Sequence, residues 1–260
     1  MGKIRENSLF VAEEDVNILD YSLDETHLRV SNAMTFEAWV RPNDIDGGSF
    51  LSQKNNTIAR KWDDVEGRRT WYLCLFNDGT KVVRFAAVYD SGRQDINFSY
   101  QVVEGVWTHL AIVFEAPYLR LYTNGTLYEE VTTGDSLLET DGTFSLTNDT
   151  NAEQVQRWCY TGEISEARYW NIARTESEIQ DNMNKEVDPN SVGLVGYWKL
   201  DEGTGSTVND STPYGHNLLI GGTGSWNWTT ETPGIELLTT LISAELLDGF
   251  IRLDWTDLSE

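Results

Sequence analysis

The stretch 107–125, WTHLAIVFEAPYLRLYTNG, constrains the fold more than any other part of the sequence. Before and after a break at 115–117 its residues alternate with period two, which is typical of β-strands and not of helices. Asn124 and Gly125 both tolerate positive φ, as a type I′ hairpin turn requires, so we expect a third strand at 126–131 to fold straight back. Because both faces of the hairpin are largely apolar, it should lie inside a sandwich.

The same alternation predicts further strands along the chain. MTFEAWV at 34–40 is one, and the runs at 71–76 and 82–89 form a second hairpin whose turn is of the Asp-Gly type. Residues 54–69, which precede this hairpin, form a polar segment and are not predicted as a strand. The overall pattern therefore predicts an all-β chain built from antiparallel hairpins.

One helix is predicted in the second half of the chain. Thr175 and Glu178 have the spacing of a capping box, and Ile179 and Met183 lie at i and i+4, where side chains stack on one face. A short helix of this kind is expected to pack over one edge of the sandwich.

Three segments together resemble a known family. They are the Trp-x-His strand that ends in Leu-Tyr-x-Asn-Gly, the segment GEISEARYWNIARTESEI at 162–179, and GLVGYWKLDEGTG at 193–205. All three resemble laminin-G-like domains, the concanavalin A-like jelly rolls that include pentraxins, and the last is similar to a recurring segment of bacterial and viral members. The resemblance covers roughly residues 8–230. It departs from the family at Ser165, where an Asp is usual.

The resemblance implies a fold and a domain division. We expect an antiparallel jelly-roll β-sandwich with one short helix over residues 1–233. Residues 234–260 are expected to form a tail with one alternating stretch, 250–255, which resembles the first strands of a fibronectin type III domain. This tail is interpreted either as the start of a next domain or as an assembly segment.

The charge balance excludes several kinds of partner. The chain has 42 acidic and 19 basic residues and a formal net charge of −23. Nucleic acid and anionic membranes are therefore not expected as ligands, since both need a basic surface. No run of 18 apolar residues and no secretory signal is present in the sequence, so neither membrane insertion nor export by a signal peptide is expected. The acidity indicates either solubility or binding of divalent cations.

Catalysis finds little support in the sequence. There are three histidines, and His109 lies in the central strand, where a core role is expected. Glycosidases of the same jelly roll use a Glu-x-Asp-x-x-Glu strand, and the nearest string here, with Glu163 and Glu166, lacks the Asp and has a different spacing. We interpret these glutamates as solvent-facing residues of an edge strand. The protein is therefore predicted not to be an enzyme, although folding could still assemble another carboxylate pair.

The resemblance to pentraxins implies a calcium site. In those relatives calcium binds between two loops, and the corresponding residues here are Asp63, Asp64, Asn148, Asp149, Asn151 and Glu153. Carboxylate and amide oxygens suit Ca²⁺, which takes six to eight oxygen ligands. A second candidate, Asp201 with Glu202 and Asp210, could hold an ion that pins the closing loop. The alternative is that all of these are ordinary polar loops of an acidic protein.

Carbohydrate recognition needs exposed aromatic rings beside polar groups. Trp62, Trp226 and Trp228 lie in loop-like sequence and are the predicted ligand-binding residues. Together with the resemblance they predict a non-catalytic carbohydrate-binding or adhesion module.

The expected setting is the surface of a bacteriophage virion, as a decoration, fibre or receptor-binding protein, because virions reach the exterior without a signal peptide. The alternatives are a purely structural capsid decoration protein without a ligand and an extracellular module associated with a secreted glycoside hydrolase. The expected partners are cell-surface glycans, other virion proteins or further copies of the same chain.

Overall fold

A computed structural model describes residues 7–11, 16–20, 26–43, 54–62, 68–77, 79–134, 136–147, 160–222, 225–233, 243–247 and 250–254 of the protein. The strands are β1 (Ser8–Val11), β2 (Val16–Asp20), β3 (Ala33–Pro42), β4 (Lys54–Trp62), β5 (Arg69–Asn77), β6 (Lys81–Tyr89), β7 (Gly92–Gln101), β8 (Thr108–Glu115), β9 (Tyr118–Thr123), β10 (Thr126–Thr132), β11 (Phe144–Leu146), β12 (Gly162–Trp170), β13 (Leu194–Trp198), β14 (Thr207–Val208), β15 (Leu218–Gly222), β16 (Trp226–Thr229), β17 (Ser243–Leu247) and β18 (Phe250–Asp254). A 3-10 turn (Thr26–Leu28) and the helix α1 (Glu176–Asn182) complete the described elements.

The strands form two antiparallel sheets that pack face to face, and the predicted jelly-roll sandwich is confirmed. The first sheet runs β10-β9-β8-β3-β12-β1-β16, with β13 also paired to β12. The second sheet runs β14-β15-β2-β11-β4-β5-β6-β7. In the tail, β17 and β18 form a separate two-stranded sheet, and the interpretation of residues 234–260 as a next domain or an assembly segment stays a prediction.

The central hairpin has the predicted strands and turn. Strands β8, β9 and β10 are neighbours in the first sheet, and Asn124 and Gly125 adopt φ values of 48° and 81°. The Asn124 side chain also accepts a hydrogen bond from the backbone N–H of His109 at 2.9 Å. His109 itself is buried, as expected for a core histidine.

The core between the sheets is centred on aromatic rings. Trp71 of β5 donates from Nε1 to the hydroxyl of Tyr169 in β12 at 3.1 Å, so one hydrogen bond links the two sheets. Phe144 of β11 stacks on Trp198 of β13 with ring centres 4.7 Å apart. Buried indole N–H and phenol O–H groups usually find hydrogen-bond partners, and here the Tyr169 hydroxyl in turn donates to the backbone oxygen of Leu28 at 3.2 Å.

Strand β4 was not predicted. Its sequence, KNNTIARKW, is polar and does not alternate, yet it pairs with β5 and β11 inside the second sheet. The pairing with β5 is interrupted by register shifts between Thr57 and Ala59 and between Lys61 and Trp62. Because a bulge changes the face to which later side chains point, these shifts remove the period-two pattern from the sequence.

Helix α1 begins with the predicted capping box. Thr175 accepts from the backbone N–H of Glu178, and the Glu178 carboxylate accepts from the backbone N–H of Thr175 at 2.8 Å. Ile179 is buried against Ala111, Val113 and Tyr122. The helix therefore packs across the outer face of the first sheet, on β8 and β9. The described part of the chain has no helix of the length and hydropathy needed to span a membrane.

Candidate functional site

The three tryptophans predicted to bind ligand are not exposed loop residues. Trp62 is the last residue of β4 and only 6 % exposed. Trp226 and Trp228 lie in β16, are half-buried and pack against the main core. Trp228 also donates from Nε1 to the backbone oxygen of Gly205 at 3.0 Å. The strand β16 pairs with β1, so the latter two rings help to close the edge of the first sheet.

The predicted calcium ligands Asp63, Asp64, Asn148, Asp149, Asn151 and Glu153 lie outside the described residues. Their described neighbours are Trp62, at the end of β4, and Thr147, after β11. Because β4 and β11 are antiparallel, with Phe144 opposite Lys61, these two neighbours lie at opposite ends of the strand pair. The calcium site stays a prediction.

In the second candidate, Asp201 with Glu202 and Asp210, two of the carboxylates already accept hydrogen bonds within the loop, and the ion stays a prediction. The Asp210 carboxylate accepts hydrogen bonds from the backbone N–H groups of Tyr197, Thr212 and His216 at 2.9–3.0 Å. Glu202 accepts from the backbone N–H of Asn209 at 2.7 Å. The hydrogen bonds that Asp210 and Glu202 accept therefore stabilise this loop. Within the described ranges, no group of three or more His, Cys, Asp or Glu side chains converges to hold a metal ion.

The prediction for Glu163 and Glu166 is wrong, because both are buried and β12 is an internal strand. They are 4 % and 3 % exposed, and β12 pairs with β3 on one side and with β1 and β13 on the other. Glu163 pairs with Arg41 at 3.2 Å, and Glu166 accepts from Arg168 and from the Tyr197 hydroxyl, each at 2.6 Å. Burial, partly offset by Arg41, raises the pKa of Glu163.

The outer face of the first sheet carries a buried ionic network. Glu37 accepts from Arg174 Nη1 at 2.9 Å and from Trp170 Nε1 at 3.0 Å, and it lies 3.8 Å from Arg168. Burial alone would lower the pKa of Arg168, but Glu37 and Glu166 outweigh burial and raise it. Polar groups of this network also reach α1 and the residues after it: Arg174 donates to the backbone oxygen of Glu178 in the first turn, and Arg168 donates to those of Asn182 and Lys185. The network therefore fastens the helix to the sheet.

The outer face of the second sheet is different, because it carries aromatic rings with arginines stacked on them. Residues of β4, β5 and β6 that alternate with the core form a separate apolar cluster on this face, which includes Trp62, Tyr72 and Phe76. The Arg84 guanidinium lies 3.2 Å from the centre of the Phe76 ring. The Arg93 guanidinium lies 5.2 Å from the Trp62 ring and 5.7 Å from the Tyr72 ring. We call these five residues the arginine patch.

The two arginines of the patch are held by side chains of the edge strand β7. Arg93 donates to both oxygens of Asp95, at 2.8 and 3.0 Å, and to the Tyr72 hydroxyl at 3.1 Å. Arg84 donates from Nε to the side-chain oxygen of Asn97 at 2.6 Å. Asp95, Asn97 and Arg93 are exposed and Arg84 is half-buried, so the patch is in contact with solvent.

The electrostatics of the patch favour a positively charged Arg93 and a neutral Tyr72. Burial raises the pKa of Tyr72, and the neighbouring Cys74 and Asp95 raise it further. Burial would lower the pKa of Arg93, but its contacts with Asp95 and Tyr72 more than reverse that effect. Guanidinium groups that lie on aromatic rings are oriented by the ring and still present N–H donors at their edge.

One feature of the sequence, an arginine within an apolar strand, indicates this patch. In VVRFAAVY, Arg84 interrupts an apolar run and lies on the face opposite to Val83 and Phe85, which are core residues. A charged residue at such a position, followed by Arg-Gln-Asp in the next strand, indicates an outer face with a polar function. The pairing of β6 with β7, which places Arg84 opposite Asn97, could not be read from composition.

The two antiparallel sheets and the helix α1 on the outer face of the first sheet define a jelly-roll β-sandwich. Comparisons with known proteins assign the family. The chain belongs to the concanavalin A-like lectin/glucanases superfamily, whose Laminin_G_3 sequence pattern matches residues 20–180. No curated protein sequence matches the chain.

Two solved structures have the same fold. A protein from Bacteroides ovatus, provisionally described as a carbohydrate-binding protein, superposes with a TM-score of 0.62 at 20 % identity over 87 % of this chain. The chain spans 60 % of that protein's length. A heptameric SAP-like pentraxin from Limulus polyphemus superposes with a TM-score of 0.55 at 12 % identity, over 85 % of this chain and 97 % of the pentraxin. The resemblance to laminin-G-like and pentraxin domains is thereby confirmed at the level of the fold.

Proposed function

We propose that the protein is a non-catalytic carbohydrate-binding or adhesion module that binds its ligand at the outer face of the second sheet. The observation that carries this proposal is the arginine patch, in which guanidinium groups cover largely buried rings, together with the exposed carboxylate of Asp95 and amide of Asn97 beside it. Sugars are bound by such combinations, since they offer apolar C–H faces for stacking and hydroxyls for hydrogen bonds. The family and the Bacteroides ovatus structure support the same class of function.

The ligand would meet guanidinium planes on this face and not bare rings. Trp62, Tyr72 and Phe76 are largely buried, and Arg84 and Arg93 lie over them. The exposed side chains of Asp95 and Asn97 are within reach of sugar hydroxyls, as acceptor and as donor respectively. Stacking on the arginines and hydrogen bonds to β7 would together orient a sugar along the sheet edge.

The absence of catalysis is part of the proposal. Glu163 and Glu166, the carboxylates nearest to a glycosidase pattern, are buried and already paired with arginines. A general acid needs access to the glycosidic oxygen, and neither carboxylate has that access in this arrangement.

Calcium remains part of the proposal on sequence grounds. If Asp63 and Asp64 take part, the ion would lie next to Trp62 and therefore next to the arginine patch. Bound sugar hydroxyls could then complete the coordination of the ion, because Ca²⁺ accepts neutral oxygens as ligands.

The biological setting is proposed from the resemblance of 193–205 to bacterial and viral laminin-G-like proteins. We place the protein on the surface of a phage virion, as a decoration, fibre or receptor-binding component, with self-association as a homo-oligomer included in the proposal. A structural decoration protein without a ligand and an extracellular module of a secreted glycoside hydrolase are the alternatives.

A glycan array run with calcium and again with chelator tests the function. We expect binding to a defined class of sugar that is lost in Arg93→Gln and kept in Arg120→Gln. Arg120 is a matched control because it also lies over an aromatic ring, that of Tyr118 at 5.4 Å, but on the first sheet. Loss of binding with chelator would support the calcium site. No binding in either condition would refute the proposal and favour structural decoration.

A further inference from the structure

Arg84 is the residue of the patch for which the described residues provide no counter-charge. Its Nε donates to Asn97 and its plane lies on Phe76, while Nη1 and Nη2 make no hydrogen bond within the described residues. The described part of the chain also offers it no carboxylate at salt-bridge distance, whereas Arg93 is matched by Asp95. Asn97 and Phe76 thus orient the guanidinium, while Nη1 and Nη2 are available to hydrogen-bond a ligand.

An unpaired arginine is unusual in a chain of this composition. Acidic residues outnumber basic ones by 42 to 19, and other arginines with described contacts, such as Arg41, Arg120 and Arg174, have carboxylate partners. Taking a half-buried guanidinium out of water without a counter-charge has a cost in stability. A bound anion would remove that cost, because the terminal N–H groups of arginine match the two oxygens of a carboxylate or the oxygens of a sulfate.

We propose that Arg84 binds the acidic group of a charged glycan, so that the protein selects oligosaccharides that carry a carboxylate or sulfate over their neutral counterparts. This inference rests on the proposed function and names the sugar class for the same face. The acidic group meets Nη1 and Nη2 of Arg84, while the neutral hydroxyls meet Asn97 and Asp95 on the adjacent strand.

The net charge of −23 sets a limit on the ligand. A densely charged polyanion such as nucleic acid would be repelled by most of the surface, and the patch is too small to neutralise many phosphates. A glycan with isolated acidic groups places one charge at Arg84 and neutral sugar elsewhere. Screening by salt should therefore weaken the preference for the acidic member, since the contact at Arg84 is partly exposed.

The test is an array of matched pairs: oligogalacturonates with their methyl esters, and sulfated with unsulfated galactans. We expect at least about tenfold tighter binding to the acidic member of one pair, corresponding to one charge-assisted contact. Arg84→Gln should abolish the preference while retaining wild-type thermal stability, and Arg120→Gln should keep it. In the wild type, raising NaCl from 50 to 500 mM should reduce the preference, a measurement that does not depend on any variant.

The outcomes separate the two proposals. Equal binding of acidic and neutral members, or a preference that persists in Arg84→Gln, overturns this inference and leaves carbohydrate binding intact. Single-stranded DNA bound as tightly as the acidic glycan overturns the inference in favour of a general anion site. No binding to any sugar refutes the proposed function and the inference together.

Discussion

Removing the negative charge of Glu37 should destabilise the fold far more than removing a comparable charge at the surface. Glu37 is fully buried and is shared by Arg174 at 2.9 Å and Arg168 at 3.8 Å. In Glu37→Gln the amide keeps the shape and one acceptor oxygen, but Arg174 loses its carboxylate partner inside the protein. Arg168 keeps Glu166 at 2.6 Å, so the damage is concentrated on one guanidinium.

The expected loss in the free energy of unfolding follows from the number of arginines that lose a carboxylate partner. Neutralising one partner of a buried ion pair costs about 3–5 kcal/mol, because the remaining charge stays desolvated. Since one of the two arginines keeps a partner, we expect the lower end, about 3 kcal/mol. The matched control is Glu130→Gln, whose carboxylate pairs with Arg120 at 2.6 Å but is 43 % exposed. Exposed pairs contribute only about 0.2–1 kcal/mol.

Urea unfolding followed by tryptophan fluorescence measures both variants. With a slope of roughly 2–3 kcal/mol per molar, Glu37→Gln should lower the midpoint by about 1 M or more at unchanged slope, and Glu130→Gln by a few tenths of a molar at most. A shift for Glu37→Gln no larger than that of the control would refute the reasoning. It would mean that apolar contacts such as Ile179 hold α1 in place and that the buried charges make no net contribution.

Three further predictions concern single contacts. Hydrogen bonds from the backbone and side chain of Thr175 lower the pKa of Glu178 below its usual 4.5, so its stabilisation is present above that pH and lost as the pH falls through the lowered pKa. Glutamine keeps the hydrogen bond of the capping box and loses only the charge, so Glu178→Gln should cost about 0.5 kcal/mol at pH 7 and progressively less in melts below pH 4.5. Gly142→Ala should destabilise by about 2 kcal/mol or more, because the new Cβ would lie 2.4 Å from the Arg68 backbone oxygen, whereas Gly221→Ala, with nothing within 4 Å, should change the urea midpoint little. Trp228→Ala should cost about 2 kcal/mol through lost packing but leave the affinity for glycans within twofold in titrations below the melting temperature; a selective loss of binding would contradict its structural role.

Local sequence signals predicted the parts of the fold that depend on a few neighbouring residues. The turn at Asn124 and Gly125 and the capping box of Thr175 and Glu178 were predicted correctly, because each is decided by residues within four positions of one another. The jelly roll followed from the alternation of several such strands and from the resemblance to laminin-G-like domains.

The errors came from contacts between distant parts of the chain. Trp62 was interpreted as a loop residue because bulges remove the alternation of β4, and only the pairing with β5 shows that the residue is buried. Glu163 and Glu166 were interpreted as exposed because acidic residues usually are, yet Arg41 and Arg168 compensate their charges across the sheet. The arginine patch was missed for the same reason, since four separate strands bring its residues and their partners together.

The two outer faces of the sandwich are used differently, and this difference indicates where a ligand can bind. On the first sheet, α1 covers β8 and β9, and backbone oxygens of the helix and of its C-cap accept hydrogen bonds from Arg168, Arg174 and Trp39. A ligand on the part of that face that α1 covers would have to displace the helix and expose Glu37 and the arginines, at the cost expected for breaking a buried ionic network. On the second sheet, Arg84 and the side chains of β7 are already exposed, and binding there requires no rearrangement of the core. Binding at the arginine patch therefore perturbs the fold least, and an acidic ligand there would supply the counter-charge that the described residues do not provide for Arg84.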